Sequence, residues 1–104
     1  MAAINITECK GPVTVQGQTP FYAPVAYFGT VTCQEVTSLT ATPQQSSAFQ
    51  AKTAFLVLVA DVAVRFAVGT NPTAGATSTR LPADVVEYVG VPAGQSFKIS
   101  VRTD

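Results

Sequence analysis

Apolar residues recur at every second position in several short runs, and glycine and proline separate the runs. In Phe97-Lys98-Ile99-Ser100-Val101-Arg102, the residues Phe97, Ile99 and Val101 share one face and Lys98, Ser100 and Arg102 the other. That period of two predicts a strand with one buried and one wet face. Val62, Val64, Phe66 and Val68 alternate with Ala63, Arg65 and Ala67 in the same way. Phe55 to Ala60 is apolar on both faces, which suits a central strand covered above and below. Val85 to Val89 predicts a further strand, and Tyr27 to Cys33 and Val36 to Thr40 two more. Thr14-Val15 and Ile4 to Thr7 read as edge or arm segments, with residues 1–12 as an N-terminal arm. Asp61 lies four before Arg65, so Ala60 to Val68 also admits a short helix with one ion pair. The alternating valines and Gly69 favour the strand.

Turn chemistry divides these runs. Asn71-Pro72 follows Gly69, and proline restrains both its own φ and the residue before it. Pro92-Ala93-Gly94-Gln95 predicts a tight turn that makes Val85–Val89 and Phe97–Arg102 hairpin neighbours. Thr42 to Ser47 reads as a polar surface loop, and Thr73 to Arg80 as a longer loop whose small side chains suit lying against another surface. Many short strands with turn signals predict one all-β domain over 1–104, an antiparallel β-sandwich of jelly-roll type with about seven or eight strands.

Charge narrows the partners. Six basic and six acidic residues cancel, and charged residues are 12% of the 104, about half the usual share. No electrostatic footprint of a nucleic-acid binder or an anionic-membrane binder is present. So few charges protect poorly against self-association, which predicts a surface covered by other protein. The most apolar run, Ala54 to Ala60, is far shorter than the roughly 20 residues of a membrane-spanning helix. The N-terminal residues show neither the basic nor the apolar region of a signal peptide.

Candidate chemistry is sparse. There is no histidine, and Cys9 and Cys33 lack the company a zinc site needs. Their spacing leaves a disulfide open should two early strands pair, but thiols in a reducing compartment are the preferred reading. Ser46 and Ser47 have no base in a known motif; Lys52 is at no recognised serine–lysine spacing. Glu8, Glu35, Asp61, Asp84, Glu87 and Asp104 read as solvated ends and edges rather than a paired-carboxylate cleft. Gly69 and Gly75 do not carry the Lys-Ser/Thr of a phosphate loop, and no loop is rich enough in oxygen ligands for calcium. Phe21, Tyr22, Tyr27 and Phe28 lack the basic neighbours of a stacking platform and read as core and hinge aromatics. Arg65 either pairs with a carboxylate such as Glu87 on a neighbouring strand or anchors an interface. No catalytic residue, metal or cofactor is expected.

The stretch Val62 to Ala74, then Thr77-Ser78-Thr79-Arg80-Leu81-Pro82-Ala83, Glu87-Tyr88 and Val91-Pro92-Ala93-Gly94, resembles small β-rich virion proteins of tailed bacteriophages. The resemblance covers roughly the C-terminal half. It implies a structural β-sandwich with no cofactor and no enzymatic activity, carried in the virion and assembled in the bacterial cytoplasm. The expected role is a capsid decoration or cement protein bound to the major capsid protein. The alternative is a neck, collar, connector or tail component, including a receptor- or glycan-binding knob. A small enzyme or sugar-binding sandwich is the more distant rival. Adhesion of many copies would multiply a weak contact by avidity, and a homodimer or homotrimer is expected. The contact residues expected are Ile4 and Ile6, as an arm adding a strand to a neighbour's sheet, with Arg65, Thr70, Asn71, Pro72 and Thr73.

Overall fold

A computed structural model describes residues 2–10, 13–14, 24–25 and 30–104. Among these residues the strands are β1 (Ala3–Cys9), β2 (Val13–Thr14), β3 (Pro24–Val25), β4 (Thr30–Thr37), β5 (Gln44–Gln45), β6 (Phe55–Ala60), β7 (Val64–Gly69), β8 (Thr79–Leu81), β9 (Glu87–Gly90) and β10 (Lys98–Thr103), and there is no helix. Eight of them form two antiparallel sheets of four, ordered β4-β1-β6-β9 and β5-β10-β7-β8, while β2 pairs with β3. The fold is all-β and sandwich-like: Ile4, Ile6, Leu56 and Leu58 from the first sheet share one core with Val64, Phe66, Leu81, Ile99 and Val101 from the second. Fully burying one such aliphatic side chain contributes about 1.5–3 kcal/mol.

Period-two facing survives in detail. Leu56, Leu58 and Ala60 are buried, and Phe55, Val57 and Val59 on the outer face are half-buried. Val64 and Phe66 point inward and Arg65 outward. The helical alternative for Ala60 to Val68 fails. Asp61-Val62-Ala63 is instead the turn by which the chain changes sheets, and Asp61 Oδ1 accepts a 2.8 Å hydrogen bond from the Ala3 amide.

Several expectations are corrected. β1 is no arm: it lies between β4 and β6, and Ile4 and Ile6 are wholly buried. β9 and β10 are not a hairpin, because β9 pairs with β6 and β10 with β7 and β5. The turn with Gly94 at φ 76° therefore carries the chain between sheets; that φ is one glycine reaches at little cost. Val85 and Val86 precede β9 and are exposed. Gln44-Gln45, inside the expected polar loop, form the edge strand β5 against Ser100 and Val101. Thr79 and Arg80, placed in a loop by their composition, belong to β8. The strand after Val36 stops at Thr37, and Ser38 has φ 56°. Val15 and the aromatics Phe21, Tyr22, Tyr27 and Phe28 lie outside the described residues.

Glu8 is a further departure from the solvated carboxylates expected. It sits on the inward face of β1 with Ile4 and Ile6 and is buried. Its Oε1 accepts hydrogen bonds from the Gln50 amide (2.8 Å) and the Thr53 hydroxyl (2.7 Å), and its Oε2 from Gln34 Nε2 (3.0 Å). Gln34 also grips the backbone of Ser47, accepting from its N–H at 3.0 Å and donating to its carbonyl at 3.2 Å. A buried carboxylate persists only if its lone pairs are satisfied. Here the donors come from β4 and from the segment joining β5 to β6, so one side chain ties three parts of the chain together.

Candidate interaction surface

The outer face of the second sheet carries charge that the sequence scatters. In the pairing register Arg102 lies opposite Arg65, and Arg65 opposite Arg80. Three arginines therefore stand in one row across β10, β7 and β8. Neighbouring strands are roughly 4.8 Å apart, and like charges directly opposite one another oppose pairing. Asp104 meets part of that cost. Its Oδ1 accepts from Arg65 Nε at 2.9 Å and its Oδ2 from Arg80 Nε at 2.6 Å. Hydrogen bonds from Arg80 and then Arg65 hold its carboxyl below the ordinary value of 3.8, against a weaker opposing effect of desolvation. Arg65 Nη1 also donates to the Ser78 carbonyl at 2.9 Å, so this guanidinium is fixed on two sides. Arg80 is 48% exposed at the sheet edge.

The segment from Thr70 to Ser78 folds back over the same face. The Ala74 amide donates to Ser100 Oγ at 2.9 Å, which explains how the outward-facing Ser100 comes to be buried. Gln45 Nε2 donates to Asn71 Oδ1 (3.0 Å) and to the Pro72 carbonyl (2.8 Å), pinning the turn to β5. Of the turn residues, Thr70, Asn71 and Thr73 are exposed and Pro72 is buried. The small side chains thus lie against the chain's own sheet. Thr70 and Asn71 follow the Gly69–Lys98 end of the β7–β10 ladder, four residues along from the Arg65–Arg102 pair, and Ile4 and Ile6 are in the core. Arg65 pairs with Asp104 and not with Glu87, which belongs to the other sheet.

Arg80, Arg102 and Asp104 were not singled out by sequence reasoning. Arg80 and Arg102 are polar positions in their strands and Asp104 follows β10, and only the register brings them together. Among the described residues the exposed large apolar side chains are Val85 (43%), Val86 (50%) and Tyr88 (58%). Tyr88 lies opposite Val57 on the outer face of the first sheet.

Among the described residues no three of Cys, Asp and Glu come close enough to hold a metal ion. Cys9 is buried and Cys33 exposed; their strands do pair, but Cys33 lies opposite Thr7 and Cys9 opposite Thr30, and no disulfide forms. Ser46 is buried, accepting from the Ile99 amide at 3.1 Å and donating to the Ser47 carbonyl at 3.0 Å. No protein-family model matches the chain, and no curated protein or solved structure matches it.

Proposed function

We propose that this chain is a non-enzymatic structural protein of a tailed-bacteriophage virion, a capsid decoration protein of jelly-roll fold that binds the major capsid protein and stabilises the head. The strand order is the observation that carries the fold part of this reading. Counted from β4, with β1 taken last, the first strand pairs with the eighth, the second with the seventh, the third with the sixth and the fourth with the fifth. The remaining pairs join third to eighth and fourth to seventh. That order supports reading the sandwich as two Greek keys of jelly-roll type. β1 occupies the place of a strand following β10. Accordingly Ala3 and Asp104 meet at one turn, the Ala3 amide on Asp61 Oδ1 and the Asp104 amide on the Ala63 carbonyl.

The resemblance of the C-terminal half supplies the role, and the surface suits adhesion. A row of arginines and exposed Val85, Val86 and Tyr88 are the residue types that anchor protein interfaces. Decoration proteins act in many copies, so each contact needs little affinity.

The test is quantitative mass spectrometry of purified particles together with image reconstruction. A copy number within a small multiple of that of the major capsid protein, with density on the outside of the head, is expected. A single ring's worth of copies at the neck or tail would replace decoration by the connector or tail role. Absence of the chain from intact particles would overturn the virion reading.

A further inference from the structure

The arginine row has an occupied station and an open one. Asp104 places one carboxylate between Arg65 and Arg80, each oxygen taking one Nε–H. Arg102 and Arg65 stand opposite each other in the register on the other side. Among the described residues no carboxylate lies between them: Arg102 Nε donates only to the Thr103 carbonyl at 3.3 Å, and its two terminal nitrogens have no partner. Arg80 likewise uses its Nε on Asp104 and leaves its terminal nitrogens to solvent. The fold itself does not require this row, since like charges on facing positions work against strand pairing. Arg65, held by Asp104 and by the Ser78 carbonyl, is the member of the row fixed beforehand, from which a partner's carboxylate would benefit.

We propose that the row Arg102–Arg65–Arg80 docks an acidic segment of a partner protein, with one Asp or Glu carboxylate seated between Arg102 and Arg65 as Asp104 sits between Arg65 and Arg80. A carboxylate is favoured over a polyphosphate backbone for two reasons. The row already holds one carboxylate in place, whose charge repels a run of phosphates. Three arginines in a chain of zero formal net charge also fall short of the continuous positive track that nucleic acid demands.

The inference rests on the adhesive reading above, and the two fail separately. Losing the acidic preference removes this surface and leaves particle location untouched; absence from particles leaves the preference measurable. The experiment titrates the full chain with hexaglutamate and, at matched ionic strength, with a short oligothymidylate and inorganic phosphate, following arginine Nε–Hε and backbone amide resonances by NMR. Hexaglutamate is expected to shift the Arg65, Arg80 and Arg102 signals saturably. Arg102→Gln should weaken that binding about tenfold, the loss of one charge-assisted contact, with an unchanged melting temperature. Asp104→Asn removes the resident competitor and should tighten it. If Arg102→Gln disturbs the fold, Arg102→Lys, which keeps the charge and loses the planar fork, serves as the second variant, with weakened binding again expected. Lack of saturable shifts, equal binding by the variants, or tighter binding of oligothymidylate or phosphate would each overturn the proposal.

Discussion

Truncating Ile6 to alanine separates a projecting arm from a central strand. Ile6 is wholly buried on β1, with Gln34 opposite on β4 and Leu58 opposite on β6. Ile6→Ala deletes three carbons, worth about 2.4 kcal/mol at roughly 0.8 kcal/mol each. A strand hydrogen-bonded on both sides cannot move inward to fill the space, so the cavity adds to this, and the total should be about 3 kcal/mol, within the usual range of about 2–5 kcal/mol. For a domain of about 100 residues each kcal/mol lowers the midpoint by roughly 4–8 °C. A loss near 3 kcal/mol therefore lowers it by roughly 12–24 °C. Asn5→Ala, one residue away on the exposed face of the same strand, is the control and should stay within about 0.5 kcal/mol. Urea and thermal unfolding of both variants, followed by circular dichroism, measure the difference. Equal midpoints for the two variants would refute a buried β1. A midpoint that rises with protein concentration would show instead that the strand is supplied by a second copy.

Four other outcomes are expected. Ile99→Asp puts a carboxylate at a fully buried core position and should unfold or aggregate the domain, whereas Lys98→Asp should leave the circular dichroism spectrum and midpoint nearly unchanged; like behaviour of the pair would contradict the facing of β10. Glu8→Ala leaves the Gln50 amide without its acceptor and should cost about 1–3 kcal/mol or more, against little for the exposed Glu35→Ala in the same urea assay. The lowered Asp104 carboxyl makes its clamp stabilising above the unfolded value of 3.8 and lost as pH falls through the lower folded value; acid unfolding curves of the parent and Asp104→Asn should differ at neutral pH and converge at strongly acid pH. Cys33 should react with a thiol reagent within the mixing time and Cys9 only at the rate of opening or unfolding, so one fast equivalent is expected in native buffer and two in denaturant.

How far the chain alone specifies this structure differs by level. The all-β class is written in the alternation of Phe97 to Arg102 and Val64 to Val68 and in the Gly and Pro between runs. Facing is local, because each residue turns its neighbour's side chain to the opposite side, so Ile99, Val101, Val64 and Phe66 were identifiable as core. Partnership is not local. Nothing in Val85 to Val89 and Phe97 to Arg102 distinguishes a hairpin from a crossing between sheets. The tight turn at Gly94 serves either, and the choice falls to whether β9 gains more against β6 than against β10. β1 illustrates the same limit. Its two isoleucines fit an arm or a core equally, until pairing on both edges buries them.

The surface follows the same division. Composition established that the charges balance, and the absence of histidine and of recognised motifs left adhesion as the expected mode of action. Where the charges gather was decided only when register brought residues 65, 80 and 102 into one row and laid Asp104 across two of them. Electrostatic energy depends on separation in space, and in an antiparallel sandwich that separation is set by pairings between distant segments. The same pairings turned Glu8 from an apparent surface carboxylate into a buried acceptor, because the donors that make its burial tolerable come from residues 34, 50 and 53.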